Sequence, residues 1–454
     1  MRHAVIAGIA LGVAYTLSPL TVLFLAALPL LWRYAQRGLS DSEKLRLAMV
    51  LGVAVALRLV VLAGLFLTAD PSLPYANLFG DEEFFKRRSL WMTNIGLGVG
   101  VHGADMIYAY DETGRSSYLY VLAYLQALVG PAPYGVHLFN AAFYLAGVVT
   151  LYRLVRRTYG EMVALGGAAL LLFLPSLFTW SISALKEPLY IFLCAVELVC
   201  AVQVARAPRW SQRLLAAAGV VAIAFALQSL RFGGLPFALA GTATGLAAGL
   251  LLTRPRWLLA TAVVLAMVAP PILARPKVQE RIMSGIASAA FLHWGHVATP
   301  GYTYKLLEPR YYEDRLSVRA MSPPEAARFI VRALVAYLTV PLPWQIESRA
   351  MLAFLPEQIT WYLIVLLVPI GLVAGLHRDA VVTCIIAAHG VIAVAMVALT
   401  GGNIGTLVRH RGLAMPYLVF LAVLGACVVL ARVIERTQTP QSSPSHRLVS
   451  PAWR

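Results

Sequence analysis

Apolar positions in this chain come in long unbroken runs, with neither the alternation of strands nor the one-sided spacing of surface helices. The runs fall at about 47–67, 135–152, 161–180, 187–205, 214–231, 234–252, 257–274, 357–376, 379–400 and 412–432. Such runs approach or reach the roughly 20 residues that cross a bilayer as a helix. A transmembrane barrel would show short alternating segments instead. The pattern predicts an all-α polytopic membrane protein with about ten transmembrane helices. A further apolar run, 4–32, is split by Ser18-Pro19 into two pieces, each short for a span. It reads as a membrane hairpin. It is too long for a cleaved signal peptide, and no A-x-A site ends it.

Short basic loops orient the spans. Arg33, Arg37, Lys44 and Arg46 precede the first run, and Arg153, Arg156 and Arg157 follow the second. Then come Arg206, Arg209 and Arg213, the pair Arg254 and Arg256, Arg378, and finally Arg432 and Arg436. With ten spans, all of these land on one side, which the positive-inside rule makes cytoplasmic. Two large segments, 68–134 and 275–356, then face outward, with a short outer turn, GGNIGTLVRHR, at 401–411. That turn carries Arg409 and Arg411 against the rule. The expected organisation is an N-terminal hairpin and basic loop (1–46), a transmembrane body (47–434) and a disordered Pro/Ser-rich tail (435–454).

Composition agrees. The 454 residues are 60% hydrophobic and 13% charged, against about 25% charged in soluble domains. The net charge of +16 is explained by Lys and Arg that flank spans and face anionic lipid. No basic-aromatic module points to nucleic acid. Cys194, Cys200, Cys384 and Cys427 all lie in apolar runs, without the spacing of a disulfide framework or a zinc site. No Walker loop, GxSxG or HExxH is present. No internal repeat of solenoid type appears.

Candidate chemistry sits beside the spans. FGDEEFFKRRSLW, 79–91, places Asp81, Glu82 and Glu83 just beyond the first clear span. Three adjacent carboxylates repel unless cations lie near, and Lys86, Arg87 and Arg88 could supply them. The same residues also suit a solvated amphipathic turn. SALKEPLYIF, 183–192, puts Lys186 and Glu187 at a second outer tip, with Pro188 in the first turn of the next helix. A polar hairpin tip is the plain alternative. LQSLRFGG, 227–234, puts Arg231 at a third, before Gly233-Gly234. Arginine forks match phosphate oxygens, though an interfacial anchor needs no phosphate. Arg58 and Glu197 fall inside spans and need partners there; each could serve the other. The histidines form no metal motif, and His293-Trp294-Gly295-His296 reads as loop structure. PPEAARFIVRALVAYL, 323–338, reads as an interfacial amphipathic helix, and it and PLPWQIES, 341–348, could wall a cavity.

The order of these features resembles the GT-C superfamily of membrane glycosyltransferases. It is most similar to the bacterial group related to protein O-mannosyltransferases, the aminoarabinose transferase and the lipopolysaccharide-core transferases. The residues that carry the likeness are the Asp81-Glu82 pair after a span, then Leu125, Leu128, Gly130, Pro133 and Asn140, then Arg156, Arg157 and Gly160, and the acidic tip Lys186-Glu187-Pro188. The resemblance implies a GT-C-like bundle in a bacterial inner membrane with its active site facing outward. It implies transfer of a sugar from a polyprenyl-phosphate carrier to a glycan, lipid or protein acceptor. Asp81 is then the expected base, Glu82 its acidic neighbour and Glu187 the second-loop acid, a place where the family often has Asp. Lys186, Arg231, Arg409 and Arg411 are the candidate phosphate-binding cations. No cofactor is implied; metal use differs among relatives, so a divalent ion stays open. A surface-polysaccharide polymerase or ligase, a noncatalytic scaffold and a glycolipid transporter are the alternatives.

Overall fold

The computed structural model describes residues 18–68, 80–112, 114–130, 135–342 and 355–438, with scattered positions before Ser18. The helices are α1 (Pro19–Ala35), α2 (Asp41–Thr68), α3 (Gly80–Gly96), α4 (Gly103–Tyr110), α5 (Ser117–Val129) and α6 (Gly135–Tyr159). Next come α7 (Glu161–Phe173), α8 (Pro175–Ser181), α9 (Glu187–Arg206), α10 (Trp210–Leu230), α11 (Gly234–Leu252), α12 (Pro255–Leu273) and α13 (Pro276–Val297). After a short α14 (Arg310–Glu313) and a 3-10 turn (Arg315–Ala320) follow α15 (Pro323–Thr339), α16 (Leu355–Arg378), α17 (Ala380–Thr400), α18 (Ile404–Arg411) and α19 (Met415–Gln438). No strand occurs among the described residues.

The chain is an all-α multi-pass membrane protein. Among the described residues nine helices are long and apolar enough to cross a bilayer, and the bent pair α7–α8, taken together as one span, makes a tenth. These match the ten apolar runs. Of the segment expected as an N-terminal hairpin the structure describes one helix, α1, which Ser18 caps by accepting from the Leu20 amide at 3.2 Å; most of the residues before Ser18 lie outside the described residues. So does 343–348, most of PLPWQIES. The last helix continues to Gln438, through the first residues expected to be disordered, and the rest of the tail lies outside the described residues.

The tenth span is broken by its sequence. Leu174 precedes Pro175, and the residue before proline is pushed to extended backbone; Leu174 sits at φ −57°, ψ 128°. The helix turns by 70° there. The break frees the Ser176 amide and the carbonyls of Leu171 and Leu172. Buried side chains take all three. The Ser176 N–H donates to Glu357 Oε2 at 2.9 Å. Tyr144 Oη donates to Leu171 O at 2.5 Å, and Arg58 Nη2 to Leu172 O at 3.1 Å. Arg58 also donates to Ser181 Oγ and Ala54 O, each at 2.9 Å, and lies 4.9 Å from the Phe178 ring centre. The pairing of Arg58 with Glu197 suggested by the sequence is therefore wrong. Glu197 meets His389 Nε2 at 2.9 Å and accepts from Thr242, tying α9 to α17 and α11.

The short basic loops gather at one end of the bundle. Arg156 forks onto Glu43 at 2.8 and 3.0 Å. Arg46 meets Glu161 and Arg206 meets Asp379, both at 2.6 Å. The segments expected as large loops are substantially helical: the first holds α3–α5, the second α13–α15. His293 and His296 thus lie on a helix. So do Arg409 and Arg411, because Asn403 caps α18 by accepting from the Thr406 amide at 3.3 Å. The expected amphipathic segment is α15, opened by a Ser322–Glu325 capping box.

Candidate active site

Helix α3 starts with its acids in the first turn, where the helix dipole favours them. Successive residues on a helix point about 100° apart, and the three acids separate accordingly. Asp81 is half exposed and faces a cavity; its Oδ2 is 2.7 Å from Arg409 Nη1. Glu82 is fully buried on the other side, 3.5 Å from Lys86 Nζ and 3.9 Å from His137 Nε2. Glu83 pairs with Arg87 on the surface at 3.4 Å. Lys86 Nζ lies 2.9 Å from His137 Nε2, and burial pushes its ammonium down to about 8 despite the pull of Glu82.

The second tip is fixed from below by α6. His137 Nδ1 bonds Ile182 O at 2.6 Å. Asn140, on the same face, donates to Ser183 O at 2.6 Å and Leu185 O at 2.8 Å. This holds Lys186 and Glu187 at the start of α9. Glu187 is buried, and its Oε1 is 3.5 Å from Arg231 Nη1. Lys186 has no carboxylate partner among the described residues. Burial lowers the pKa of its ammonium, Glu187 opposes this, and Arg231 and Arg409 lower it further.

Arg231 sits in the tight α10–α11 turn. Gln228 Oε1 accepts the amides of Gly233 and Leu235, each at 3.1 Å. Gly233 takes φ +89°, a conformation that favours glycine. Arg231 Nη2 meets His410 Nε2 at 3.1 Å. Burial, then Arg231, Arg409, His296 and Lys186, hold His410 far below the ordinary imidazole range, so the ring is neutral. Arg411 points the other way. It donates to Gln358 Oε1 at 2.8 Å, to Tyr337 O at 2.6 Å and to Val340 O. Burial lowers its guanidinium to about 10.

Five of the seven residues proposed from sequence thus line one cavity of about 2090 Å³: Asp81, Lys186, Glu187, Arg231 and Arg409. Glu82 and Arg411 are not in its lining. His296 and His410 are, and sequence reasoning missed both; they belong to no motif, and only the fold brings α13 and α18 together. The opposite wall, from α13 and α17, is mostly apolar, with Met283, Val391 and Met396 among its residues, though Glu280 of α13 lines it too. Among the described residues no three His, Cys, Asp or Glu side chains group as metal ligands. The lining as a whole holds five cations, with Arg115 and Arg319, and three carboxylates, with Glu280, an excess of two positive charges. Such a site suits an anionic group carried on a lipid.

Residues 117–273, 157 of the 454, match the family described as dolichyl-phosphate-mannose-protein mannosyltransferase. The match runs from α5 to the end of α12 and includes Asn140, Lys186, Glu187 and Arg231; Asp81 and Arg409 lie outside it. It bears out the resemblance to the GT-C superfamily and supports a glycosyltransferase of GT-C type in general. No curated protein matches the chain.

Proposed function

We propose that this protein transfers a sugar from a polyprenyl-phosphate carrier to a cell-envelope acceptor, on the extracytoplasmic face of a bacterial inner membrane. The observation that carries the reading is the charge arrangement: Lys186, with no salt-bridge partner among the described residues, stands with Arg231 and Arg409 at the polar side of a cavity with a mostly apolar wall. A sugar phosphodiester on a lipid carries one negative charge and an apolar tail.

The reaction follows from the groups. The acceptor hydroxyl oxygen attacks the sugar C1 as its proton passes to Asp81, the proposed general base. The bond from C1 to the phosphate oxygen breaks, and its electron pair leaves with the lipid phosphate. The phosphate goes from one negative charge to two. Lys186 and Arg231 stabilise that increase in a site already short of negative charge. Glu187 holds Arg231 in place, and Arg409 orients Asp81. A single displacement inverts C1. Glu82 acts from behind, through Lys86 and His137. The diphosphate-dependent polymerase or ligase gains nothing from Arg411, which is committed to backbone carbonyls.

The test is transfer in nanodiscs, with labelled polyprenyl-phosphate sugars and a panel of envelope acceptors. Asp81→Asn is expected to lower kcat by about 10²–10⁴-fold with donor binding retained. Turnover that survives the change would refute Asp81 as base. No binding of any lipid-phosphate sugar would refute the transferase.

A further inference from the structure

We infer that His296 and His410 form the subsite that reads the donor's sugar, and that this subsite takes an uncharged or acidic sugar and rejects one bearing a protonated amine. The inference rests on the transferase reading and narrows its substrate.

Each ring has one nitrogen committed to a partner that fixes its tautomer. A guanidinium only donates. Arg231 Nη2 lies 3.1 Å from His410 Nε2, so Nε2 is the acceptor and the proton of the ring sits on Nδ1. A backbone carbonyl only accepts. Thr400 O lies 2.6 Å from His296 Nδ1, so Nδ1 carries a proton and Nε2 of the neutral ring is a bare acceptor. Neither His410 Nδ1 nor His296 Nε2 has a hydrogen-bond partner among the described residues. Both rings line the cavity, with centres 6.3 Å apart, next to the cations assigned to the phosphate. Trp180, 6.4 Å from His410, packs against its ring.

The cavity therefore offers one donor and one acceptor side by side. A phosphate oxygen only accepts and cannot bond an Nε2 that carries no proton. A sugar hydroxyl does both, so neighbouring hydroxyls satisfy the two rings together. A buried polar group left unpaired by the wrong ligand discriminates strongly. Charge sets the second limit. The five cations of the lining exceed its three carboxylates by two, and the single charge of a phosphodiester leaves it still positive. An ammonium on the sugar would stand beside these cations; the remaining acid of the lining, Glu280, lies sixteen residues before His296 on α13, about 24 Å along the helix. A carboxylate on the sugar would be tolerated.

The test is binding by the full-length protein in nanodiscs, with three probes: bare polyprenyl phosphate, its mannosyl ester, and the ester of a 4-amino sugar. The wild type is expected to bind the mannosyl lipid roughly 100-fold more tightly than the amino-sugar lipid. His296→Phe is expected to lose roughly tenfold for the mannosyl lipid, the worth of about one hydrogen bond, and nothing for bare polyprenyl phosphate. His296→Asn keeps a donor for Thr400 O but lacks the Nε2 acceptor, and should behave as His296→Phe does. Unchanged mannosyl-lipid binding in both variants, or an amino-sugar lipid bound as tightly as the mannosyl lipid, would overturn the subsite while bare-phosphate binding leaves the transferase reading standing. Failure of all three lipids to bind the wild type would overturn both.

Discussion

Acid should loosen the cavity's α13 wall through one histidine. His293 is fully buried. Its Nδ1 donates to Gly401 O, and its Nε2 accepts from Tyr312 Oη at 3.0 Å and faces the Leu306 amide at 3.3 Å. Both nitrogens of the neutral ring are in use, so a second proton would stand against two donors. Burial accordingly holds the ring at about 4, below its ordinary 6.5. As pH falls below 6.5 the unfolded chain takes up the proton first, and the folded chain resists until about 4. Stability is therefore intact above 6.5 and declines between 6.5 and 4. The full gap is worth about 3 kcal/mol, of which about 2 kcal/mol is lost by pH 5. Thermal unfolding in nanodiscs at pH 8 and pH 5, followed by tryptophan fluorescence, should show that loss. His293→Phe fills the ring's space without a titrating group; it should be less stable at pH 8 and lose about 2 kcal/mol less on acidification. An equal acid loss in the wild type and His293→Phe would refute the reasoning.

Two further perturbations test the scaffold. A Cβ on Gly234 would lie 2.3 Å from the Leu227 carbonyl carbon, so Gly234→Ala should open the α10–α11 turn, cost about 1–3 kcal/mol and release Arg231 from Glu187; Gly64→Ala, where a Cβ meets nothing within 4 Å, is the control for thermal stability. Arg58→Lys keeps the charge but cannot reach Ser181, Ala54 O and Leu172 O together, so it should destabilise by about 2 kcal/mol or more, and a melting temperature equal to wild type would refute the account of the broken span.

Hydropathy made the spans legible because lipid contact selects apolar residues over whole helices. It made the broken span look continuous, since Leu174 and Pro175 do not interrupt the apolar run; the proline was a signal that length alone overrode. It could not recognise α3, α13 or α18, whose charged and polar residues break up any apolar run. Residue type pointed to five residues that line one cavity, Asp81, Lys186, Glu187, Arg231 and Arg409. Type could not assign a helix face, however. Asp81 and Glu82 differ by about 100° around α3, and Arg409 and Arg411 by about 200° around α18, enough to send one of each pair to the cavity and the other away from it. The pairing of Arg58 with Glu197 failed for a related reason. The partners of Arg58 are backbone and hydroxyl groups around a helix break, and composition does not record a freed carbonyl.

The density of charge in FGDEEFFKRRSLW follows from the way α3 is docked. The helix turns polar residues inward: Glu82, Lys86, Ser89 and Thr93 are all buried, at spacings that share one helix face. Gln126 Nε2 donates to Ser89 Oγ at 3.1 Å, and Thr93 Oγ1 to Ala123 O at 3.0 Å, joining α3 to α5. An apolar seam could slide by a turn at modest loss. A hydrogen-bonded seam cannot, because each buried donor or acceptor left unmade costs about 1–3 kcal/mol. The same seam reaches the second tip through one side chain. His137 contacts Lys86 with one nitrogen and Ile182 O with the other. Asp81 on α3 and Lys186-Glu187 after Ile182 are thereby referenced to a single ring on α6. Only Asp81 of the acidic triplet enters the cavity, and its buried neighbours fix where it stands relative to the groups assigned to the phosphate. A base must lie within about 3 Å of the proton it takes. A polar helix docked in one register is a way to hold Asp81, the proposed base, there at the edge of a membrane bundle.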